Sequence, residues 1–401
     1  MGLLPVDEAL KRILDAASTT PAQDVALTQA AGRVLAGDLA ARITQPPFDA
    51  SAMDGYAVRA RDVQKLPATL KLIGESAAGH AYGGTVGDGE TVRIFTGAPV
   101  PAGADAIVIQ ESVKADGNLI SVVDGEPDPG HIRKRGFDFK EGQAALLKCR
   151  RMTSRDVLLA AAMGHALISC ASKPRVAILA TGDELVAPGD TPRSDQIVSS
   201  NPYGLAAMVS AFGGEPQLLG IASDTLESLS EKISQAEDAE ILLTIGGASV
   251  GDHDLVIPAL KAAGMTLDFW KIAMRPGKPM IFGHRGNQIV LGLPGNPVSS
   301  MICARVFAIP LIARMLGRPD DATGATTSIL ASPIGANGPR AHYMRAHWVP
   351  QADGATAVAP IKSQDSALIA PLASADCLIV RPPGAKALVA GETVATLPLD
   401  F

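Results

Sequence analysis

The chain is poor in aromatic residues and in cysteine, and it carries no basic excess. Of its 401 residues, 4% are aromatic and four are cysteines. Cys149, Cys170, Cys303 and Cys377 are far apart and form no C-x-x-C pair, a spacing that argues against a thiolate zinc site and favours reduced, buried thiols. The formal net charge of −6 argues against a general nucleic-acid binder, because such proteins present basic surface to phosphates.

Long apolar runs are also scarce. We find no segment with the ~20 consecutive apolar residues that a transmembrane helix needs. The acidic residues Asp7 and Glu8 come too early for a signal peptide, and Val6 stands where N-myristoylation requires Ser or Thr. We therefore expect a cytoplasmic protein with neither a membrane nor a nucleic-acid partner.

The first 172 residues predict two interleaved domains. Segments with helical periodicity flank a stretch that is rich in Gly, Pro and short β-type runs. The expected helices are Val6–Ala17, Val25–Leu39 and Ser154–Ile168, the last capped by Thr153 or Ser154. We predict an inserted β domain at residues 43–137, within an α-rich segmented linker domain at residues 1–42 and 138–172.

The next part of the chain, residues 173–319, alternates strand and helix patterns, which predicts a doubly wound parallel sheet. The strands are expected at Arg175–Ala180, Gln217–Ile221, Ile241–Ile245 and Ile289–Leu293, and the helices at Tyr203–Phe212, Thr225–Ala236, Asp254–Ala263 and Val298–Leu316. Residues 320–401 read as short strands with Pro and Gly breaks, and we expect a small C-terminal β barrel or sandwich there.

Three loops follow the carboxyl ends of predicted strands, where ligands bind in open α/β sheets. They are Thr181–Glu184, Gly246–Asp254 and Pro294–Pro297. Ordinary turn formation would explain any one of them, but their coincidence favours a shared ligand site. The glycine-rich loop offers backbone N–H groups to an anion, although its G-G-x-x-x-G spacing is not the dinucleotide-binding pattern.

Charged residues of both signs accompany these loops. The acidic ones are Asp183, Glu184, Asp224, Asp252 and Asp254. They could cap helices, but converging carboxylates favour a divalent ion, with Mg²⁺ the best match. The basic ones, Lys271, Arg275 and Lys278, lie in a proline-stiffened turn that either binds an oxyanion or is merely a solvated loop.

Six motifs in order resemble the molybdopterin molybdenumtransferases, the molybdenum insertases related to the C-terminal domain of gephyrin. They span nearly the whole chain and are jointly specific. The motifs are Phe48–Ala57, Thr96-Gly97-Ala98-Pro99, Thr181–Leu185, Gly246–Asp252, Pro276-Gly277-Lys278-Pro279 and Leu293–Ser299.

The resemblance implies a multidomain α/β plus β fold. Its parts are a doubly wound α/β molybdopterin-binding domain at residues 173–319, the inserted β domain, the α-rich linker domain and a small C-terminal β barrel at residues 320–401. It also implies a homodimer whose site lies between the α/β domain of one subunit and the β domain of the other. The implied reaction takes adenylated molybdopterin and molybdate, uses Mg²⁺, and releases AMP and molybdenum cofactor. Molybdopterin adenylyltransferase and molybdoenzyme-maturation proteins are the implied partners.

The family's functional residues map onto this chain position by position. The implied catalytic residues are Asp54, Thr96, Glu184, Asp224 and Asp254, of which Glu184, Asp224 and Asp254 would hold the metal. The implied substrate-binding residues are Gly246, Gly247, Ser249, Gly251, Lys271, Arg275, Lys278, Pro294, Asn296, Pro297 and Ser299.

Several positions depart from the family pattern. Arg275 stands where Lys is usual, Ile245 replaces a Ser, and Ser199 replaces an Asp near the site. The segment Ser363–Ser366 fits the C-terminal serine motif only loosely. These departures bear on the choice between molybdate and tungstate.

Two alternative functions remain open. The chain could be a molybdopterin adenylyltransferase, although the extra β domains argue against it. It could also be a non-catalytic molybdopterin-binding scaffold or carrier, although the retained carboxylates favour catalysis.

Overall fold

The computed structural model describes residues 3–125, 127–247, 255–318, 324–351 and 354–399. The predictions for Ser249, Gly251, Asp252 and Asp254 lie outside these residues. The chain divides into two compact units, each considered by itself. One unit consists of Met1–Gln23, Gly32–Ala36 and Cys170–Phe401, and the other of Asp24–Ala31 and Gly37–Ser169.

The smaller unit is built around a six-stranded sheet. In spatial order its strands are Ala106–Ile109, Gly55–Val58, Glu90–Ile94, Ala68–Ser76, Leu119–Val122 and Val113–Asp116. The central strand Gly55–Val58 is buried throughout because apolar clusters cover both faces of the sheet, with Tyr56 and Val58 in one and Ala57 in the other. Short pairings add Leu39–Ala40 with Ala144–Leu146, and Ala50–Ser51 with Ile132–Arg133.

Two helix predictions near this unit are wrong in extent or in kind. The segment Val25–Leu39 is not a helix: it contains the end of strand Ala22–Ala26, a single 3₁₀ turn at Leu27–Gln29 and the start of strand Leu39–Ala40. The predicted helix Ser154–Ile168 ends at Ala162, and the chain continues as strand Leu167–Ala171. Further 3₁₀ turns occur at Ala60–Val63, Gln110–Ser112 and Pro129–His131.

The larger unit contains a six-stranded mixed sheet. Its spatial order is Glu215–Ala222, Arg175–Thr181, Ile241–Ile245, Gln288–Leu293, Pro279–Arg285 and Thr266–Lys271. The first four strands are parallel, as the sequence predicts. The last two are antiparallel, so the prediction of a wholly parallel sheet is wrong at this edge. A separate short pair joins Leu185–Val186 to Ile197–Val198.

Helices cover both faces of this sheet. Alternate residues of strand Ile241–Ile245 point to opposite faces, so that Leu243 joins one apolar cluster and Leu242 the other. The helices are Val6–Asp15, Asn201–Ala211, Leu226–Ser234, Val256–Ala262, Pro297–Cys303 and Ile309–Met315. Val6, Ala9 and Ile13 of the first helix are buried in the same cluster as Leu243.

The last two helices and the π-helical turn Ala304–Ala308 between them form a helical run of 19 residues, Pro297–Met315. It is apolar and long enough to cross a membrane, contrary to the expectation from the sequence. However, 83% of its apolar window is buried inside the protein, as in the core helix of a globular domain. Its hydrophobicity is therefore explained by packing.

The C-terminal region is a closed five-stranded barrel, as expected. Its strands follow the order Ala341–Pro350, Thr356–Pro360, Thr326–Leu330, Thr393–Pro398 and Cys377–Arg381, and the last pairs again with the first. Strand Met274–Arg275 pairs with the start of Ala341–Pro350, and the short helix Ile369–Ala373 precedes Cys377–Arg381. The interior is filled by apolar residues such as Ala346, Val358 and Ile379.

A buried capping box begins helix Ser154–Ala162. The Asp156 carboxylate accepts hydrogen bonds from the Thr153 amide and hydroxyl, each 2.8 Å, and an ion pair from Arg150 at 2.8 Å. Burial raises the pKa of Asp156, but the bonds from Arg150 and Thr153 together outweigh burial and lower it to about 2.

We expect Asp156→Asn to lower the free energy of unfolding by about 2 kcal/mol at pH 7. Because the folded-state pKa lies below the ordinary 3.8, this stabilisation is present above about pH 4 and is lost as the pH falls toward 2. Urea unfolding at pH 7 and pH 3 measures it, with the exposed Asp116→Asn as control. An equal difference between wild type and Asp156→Asn at both pH values would contradict this assignment.

Candidate active site

A cleft of about 800 Å³ lies at the carboxyl ends of the parallel strands. All three of the predicted loops contribute to it, within the part of each loop that the structure describes. The lining residues include Thr181, Gly182, Glu184, Asp224, Ile245, Gly246, Gly247, Pro294, Asn296 and Pro297. The sequence therefore predicts the place of the cleft correctly, because parallel strands bring their carboxyl ends to one edge.

Two glycines allow the loops of this cleft to approach closely. Gly246 has φ of 93°, and a Cβ atom on it would lie 2.8 Å from the Thr181 carbonyl oxygen. Gly182 has φ of 146°, and a Cβ atom there would meet the Glu184 carboxylate. A side chain at either position would therefore separate the first two loops or displace the carboxylate.

Some backbone amides predicted to bind phosphate have other partners. The Gly246 N–H donates to the Leu293 carbonyl at 3.1 Å, so it continues the sheet and does not face a ligand. At the start of the helix Pro297 has no N–H, and the Val298 N–H donates to the Ser366 carbonyl at 3.1 Å. Fewer backbone N–H groups are therefore available to a phosphate than the sequence indicates. Of the glycines predicted to bind phosphate, Gly247 is the described one that remains available.

Glu184 and Asp224 bring two exposed carboxylates to the cleft. The Asp224 backbone N–H donates a hydrogen bond to Asp183 Oδ1 at 3.1 Å, and this bond joins the Asp224 loop to the neighbouring one. Within the described ranges, neither carboxylate forms an ion pair with a cationic side chain. The same ranges contain no group of three or more Asp, Glu, His or Cys side chains arranged to hold a metal, and the third predicted ligand, Asp254, lies outside them.

A loop of the C-terminal region completes one wall of the cleft. Ala367 and Ile369 line it directly, and the Asn296 side chain donates to Ser366 Oγ at 3.0 Å. Asn296 precedes the helix at its N-cap position, but among the described residues its side chain makes this contact and no capping bond. Sequence reasoning missed the wall because the only signal was a loosely fitting serine motif about 70 residues away.

A buried arginine holds this loop in place. Arg345 is 1% exposed and donates to the carbonyl oxygens of Ser363 at 3.0 Å, Asp365 at 2.8 Å and Leu368 at 2.8 Å. Burial lowers the pKa of Arg345, opposed by the nearby charge of Asp365. Gln364 adds two bonds to the Arg345 backbone, so the loop is fixed from both sides.

The predicted basic residues do not line the cleft. The Lys271 ammonium lies 3.8 Å from the centroid of the Trp270 ring, and Arg275 and Lys278 are exposed. Pro279, directly after them, does contribute to the cleft wall. Ser299 is 4% exposed and is not among the residues that line the cleft, so its predicted contact with substrate stays a prediction.

In the smaller unit, Asp54 and Thr96 are neighbours. Asp54 Oδ1 accepts hydrogen bonds from the Thr96 amide at 2.8 Å and hydroxyl at 2.9 Å. These bonds, amide first, and the charge of Arg93 lower the pKa of Asp54 against a smaller effect of burial. The Arg93 guanidinium lies over Tyr56 and Phe95, at 5.0 and 4.9 Å from their ring centroids. The pair thus presents an exposed, ionised carboxylate.

We expect Thr96→Val to raise the pKa of Asp54 towards its ordinary value, because one of its two Thr96 bonds is removed while the backbone bond stays. Carboxyl-carbon NMR titration of the protein measures this shift. Thr69→Val, which removes an exposed hydroxyl from the same sheet, should leave the Asp54 titration unchanged. A pKa of Asp54 that is equal in all three proteins would show that the hydroxyl does not support the carboxylate.

Comparison with known proteins adds three family matches along the chain. Residues 4–164 match the MoeA N-terminal region (domain I and II), residues 177–314 a probable molybdopterin binding domain, and residues 327–399 the MoeA C-terminal region (domain IV).

Individual relatives match over nearly their full length. The molybdopterin molybdenumtransferase of Haemophilus influenzae is 33% identical, covering 99% of both chains, and that of Bacillus subtilis is 31% identical, covering 98% of this chain and 94% of the relative. Among solved structures, the molybdopterin biosynthesis moeA protein from Pyrococcus horikoshii superposes with a TM-score of 0.83 at 29% identity, covering 99% and 100%.

Proposed function

Because the chain belongs to the molybdopterin molybdenumtransferase family, and so is a transferase of molybdenum cofactor biosynthesis, we propose that it inserts molybdenum from molybdate into adenylated molybdopterin and releases AMP. The observation that carries this proposal is that Glu184 and Asp224, beside a cleft of about 800 Å³, form no ion pair with any described cationic side chain. A pterin nucleotide is an extended, anionic ligand, and a cleft that presents two carboxylates needs a cation to accept it.

These two carboxylates fit Mg²⁺, which is usually bound by one or two carboxylates together with phosphate oxygens of a substrate. Glu184 and Asp224 would hold the ion, with Asp254 as the third expected ligand. Bound there, Mg²⁺ would neutralise phosphate charge and polarise the bond that releases AMP. Lys271 and Arg275 would attract the anionic substrates, while Pro294 and Pro297 shape the cleft.

Asp54 is suited to hold or orient a ligand. Its pKa lies below the ordinary value, so the carboxylate stays ionised at neutral pH and is a weak base. It can accept a hydrogen bond from an attacking water or contact a cation, while Thr96 fixes its orientation. We propose that the chain forms a homodimer in which Asp54 and Thr96 of one subunit serve the cleft of the other.

The first test supplies the purified protein with adenylated molybdopterin, molybdate and Mg²⁺. We expect AMP release and a product that activates a cofactor-free molybdoenzyme. Glu184→Gln and Asp224→Asn should each lower the rate by about 10- to 100-fold at limiting Mg²⁺, with partial recovery at higher Mg²⁺, because the substituted amide is a weaker ligand.

The matched controls are Glu227→Gln and Asp190→Asn, both exposed and outside the cleft lining, which should retain the wild-type rate. Failure of the wild-type protein to release AMP would contradict the proposed reaction. Consumption of ATP without molybdate would support an adenylyltransferase instead, and tight pterin binding without turnover would support a scaffold or carrier.

The shared site has its own test. Asp54→Asn and Glu184→Gln proteins, each with little activity, are mixed, dissociated and reassembled. If each site combines Asp54 of one subunit with Glu184 of the other, half of the dimers are mixed and each has one intact site. Recovery should then approach about a quarter of the wild-type rate.

A reassembled mixture with no more activity than its parents would mean that both residues act within one chain or that the protein is not a dimer. Light scattering separates these two explanations. Re-mixing Asp54→Asn with itself controls for gains from the reassembly procedure.

A further inference from the structure

Three cationic or titratable side chains lie side by side at one end of the C-terminal barrel. Arg275 pairs with His342 across one strand pair, and His342 pairs with Arg381 across the next. Directly paired residues project from the same face of a sheet, and like charges in that position repel each other. We call Arg275, His342 and Arg381 the barrel-mouth row.

The row faces the interior of the barrel. On strand Ala341–Pro350, Met344 and Ala346 follow His342 at intervals of two and pack in the barrel core. On strand Cys377–Arg381, Cys377 and Ile379 have the same relation to Arg381. His342 is 8% exposed and Arg381 2%, while Arg275 is exposed, so the row runs from solvent into the barrel mouth.

The buried guanidinium of this row is incompletely paired. Arg381 Nη2 donates to the carbonyl oxygens of Ala385 and Lys386, but the buried Nη1 has no hydrogen-bond partner among the described residues. In the part of the chain that the structure describes, no carboxylate forms an ion pair with any member of the row. A buried, charged donor without an acceptor is costly, and proteins normally retain such a group for a ligand or an ordered water.

The backbone around the row is fixed. The Asn337 side chain donates to the carbonyl oxygens of Arg340, Arg381 and Pro382, at 2.9, 3.1 and 2.7 Å. Arg340 itself donates to the Met274 carbonyl, beside Arg275. The backbone that carries Arg381 and Arg340 is therefore held in place before any ligand arrives.

His342 reports the electrostatic character of the mouth. Burial, followed by the charges of Arg275, Arg340 and Arg381, lowers the pKa of His342 to about 4. Among the described residues, the charges that act on this imidazole are those of three arginines, and Lys386 on the covering loop contributes its carbonyl oxygen to Arg381. At neutral pH the imidazole is uncharged and can still donate one N–H.

We propose that the barrel-mouth row is a binding site for a tetrahedral oxyanion such as sulfate, phosphate or molybdate. Arginine forks match the oxygen pairs of such ions, and an anion would give the Arg381 Nη1 group its missing acceptor. Mouths of β-barrels are frequent ligand sites. Pro279, four residues after Arg275, lines the large cleft, so an anion held here lies on the same segment as the cleft wall. Arg275 is also proposed above to attract the anionic substrates, but the site is argued from this geometry and does not depend on that reaction.

The first test is an NMR titration of the histidine rings in chloride and in sulfate at equal ionic strength. A bound dianion favours the protonated imidazole, so sulfate should raise the pKa of His342 by about one unit or more, which equals a tenfold stronger binding to the protonated form. His342→Gln identifies the resonance, and the exposed His284 serves as internal control. An identical pKa of His342 in both salts would overturn the proposal.

The second test measures binding to the full-length protein at pH 7.5 by calorimetry, with sulfate, molybdate and glycerol 3-phosphate as separate probes. Arg275→Met, at an exposed position that should not disturb folding, and Arg381→Met should each weaken binding at least about tenfold, because each removes one charge-assisted contact. Arg285→Met, at the end of strand Pro279–Arg285 in the α/β sheet, is the matched control.

Binding of sulfate and molybdate without glycerol 3-phosphate would assign the site to a free inorganic ion, and binding of all three would assign it to a phosphate group of an organic ligand. Both outcomes support an oxyanion site. Binding that is absent, or equally strong in Arg275→Met and wild type, would contradict it. If the protein fails to release AMP but gives the expected results in these two tests, the proposed function is contradicted and the oxyanion site is still supported.

Discussion

The buried guanidinium of Arg345 is the constraint on which the candidate site depends most. A charge removed from water must be compensated, and here the compensation comes from three carbonyl oxygens of a single loop. Movement of the loop away from Arg345 would therefore leave the guanidinium either exposed to solvent or buried without hydrogen-bond acceptors. Because Ser366 in this loop contacts Asn296, the same interaction that stabilises the barrel also fixes one wall of the cleft.

The sequence predicts well those features that depend on local pattern. The apolar runs of the parallel strands identify the sheet, and the turn residues after them identify the cleft. It fails where pairing is decided by distant residues. Thr266–Lys271 and Pro279–Arg285 were not predicted as strands, since they flank a Pro-Gly turn and the first of them mixes apolar with polar residues. The helical interpretation of Val25–Leu39 failed because the periodicity around Gly32 is weak and the segment pairs with distant residues, as Leu35 does with Cys170.

The candidate site shows the same division. Glu184 and Asp224 were predicted because acidic residues in loops at strand ends are visible in the sequence. Two contacts of the site join distant residues: the Gly246 amide donates to Leu293, 47 positions away, and Asn296 contacts Ser366, 70 positions away. A local sequence pattern does not predict such contacts. Ser199 is buried at 5% exposure, so the aspartate that the family resemblance implies for this position would need a partner for its charge here.

The helical run Pro297–Met315 has a consequence for how ligands are discriminated. Its first residues line the cleft, and Arg305 in its π-helical turn donates to the Pro398 carbonyl of the last barrel strand at 3.1 Å. The C-terminal barrel region thus contacts this helical run at two places, through Ser366 at the start of the run and through Pro398 at its π-helical turn. A wall braced in this way loses little conformational entropy when the cleft is occupied, so this wall contributes to selectivity through shape mismatch with the wrong ligand.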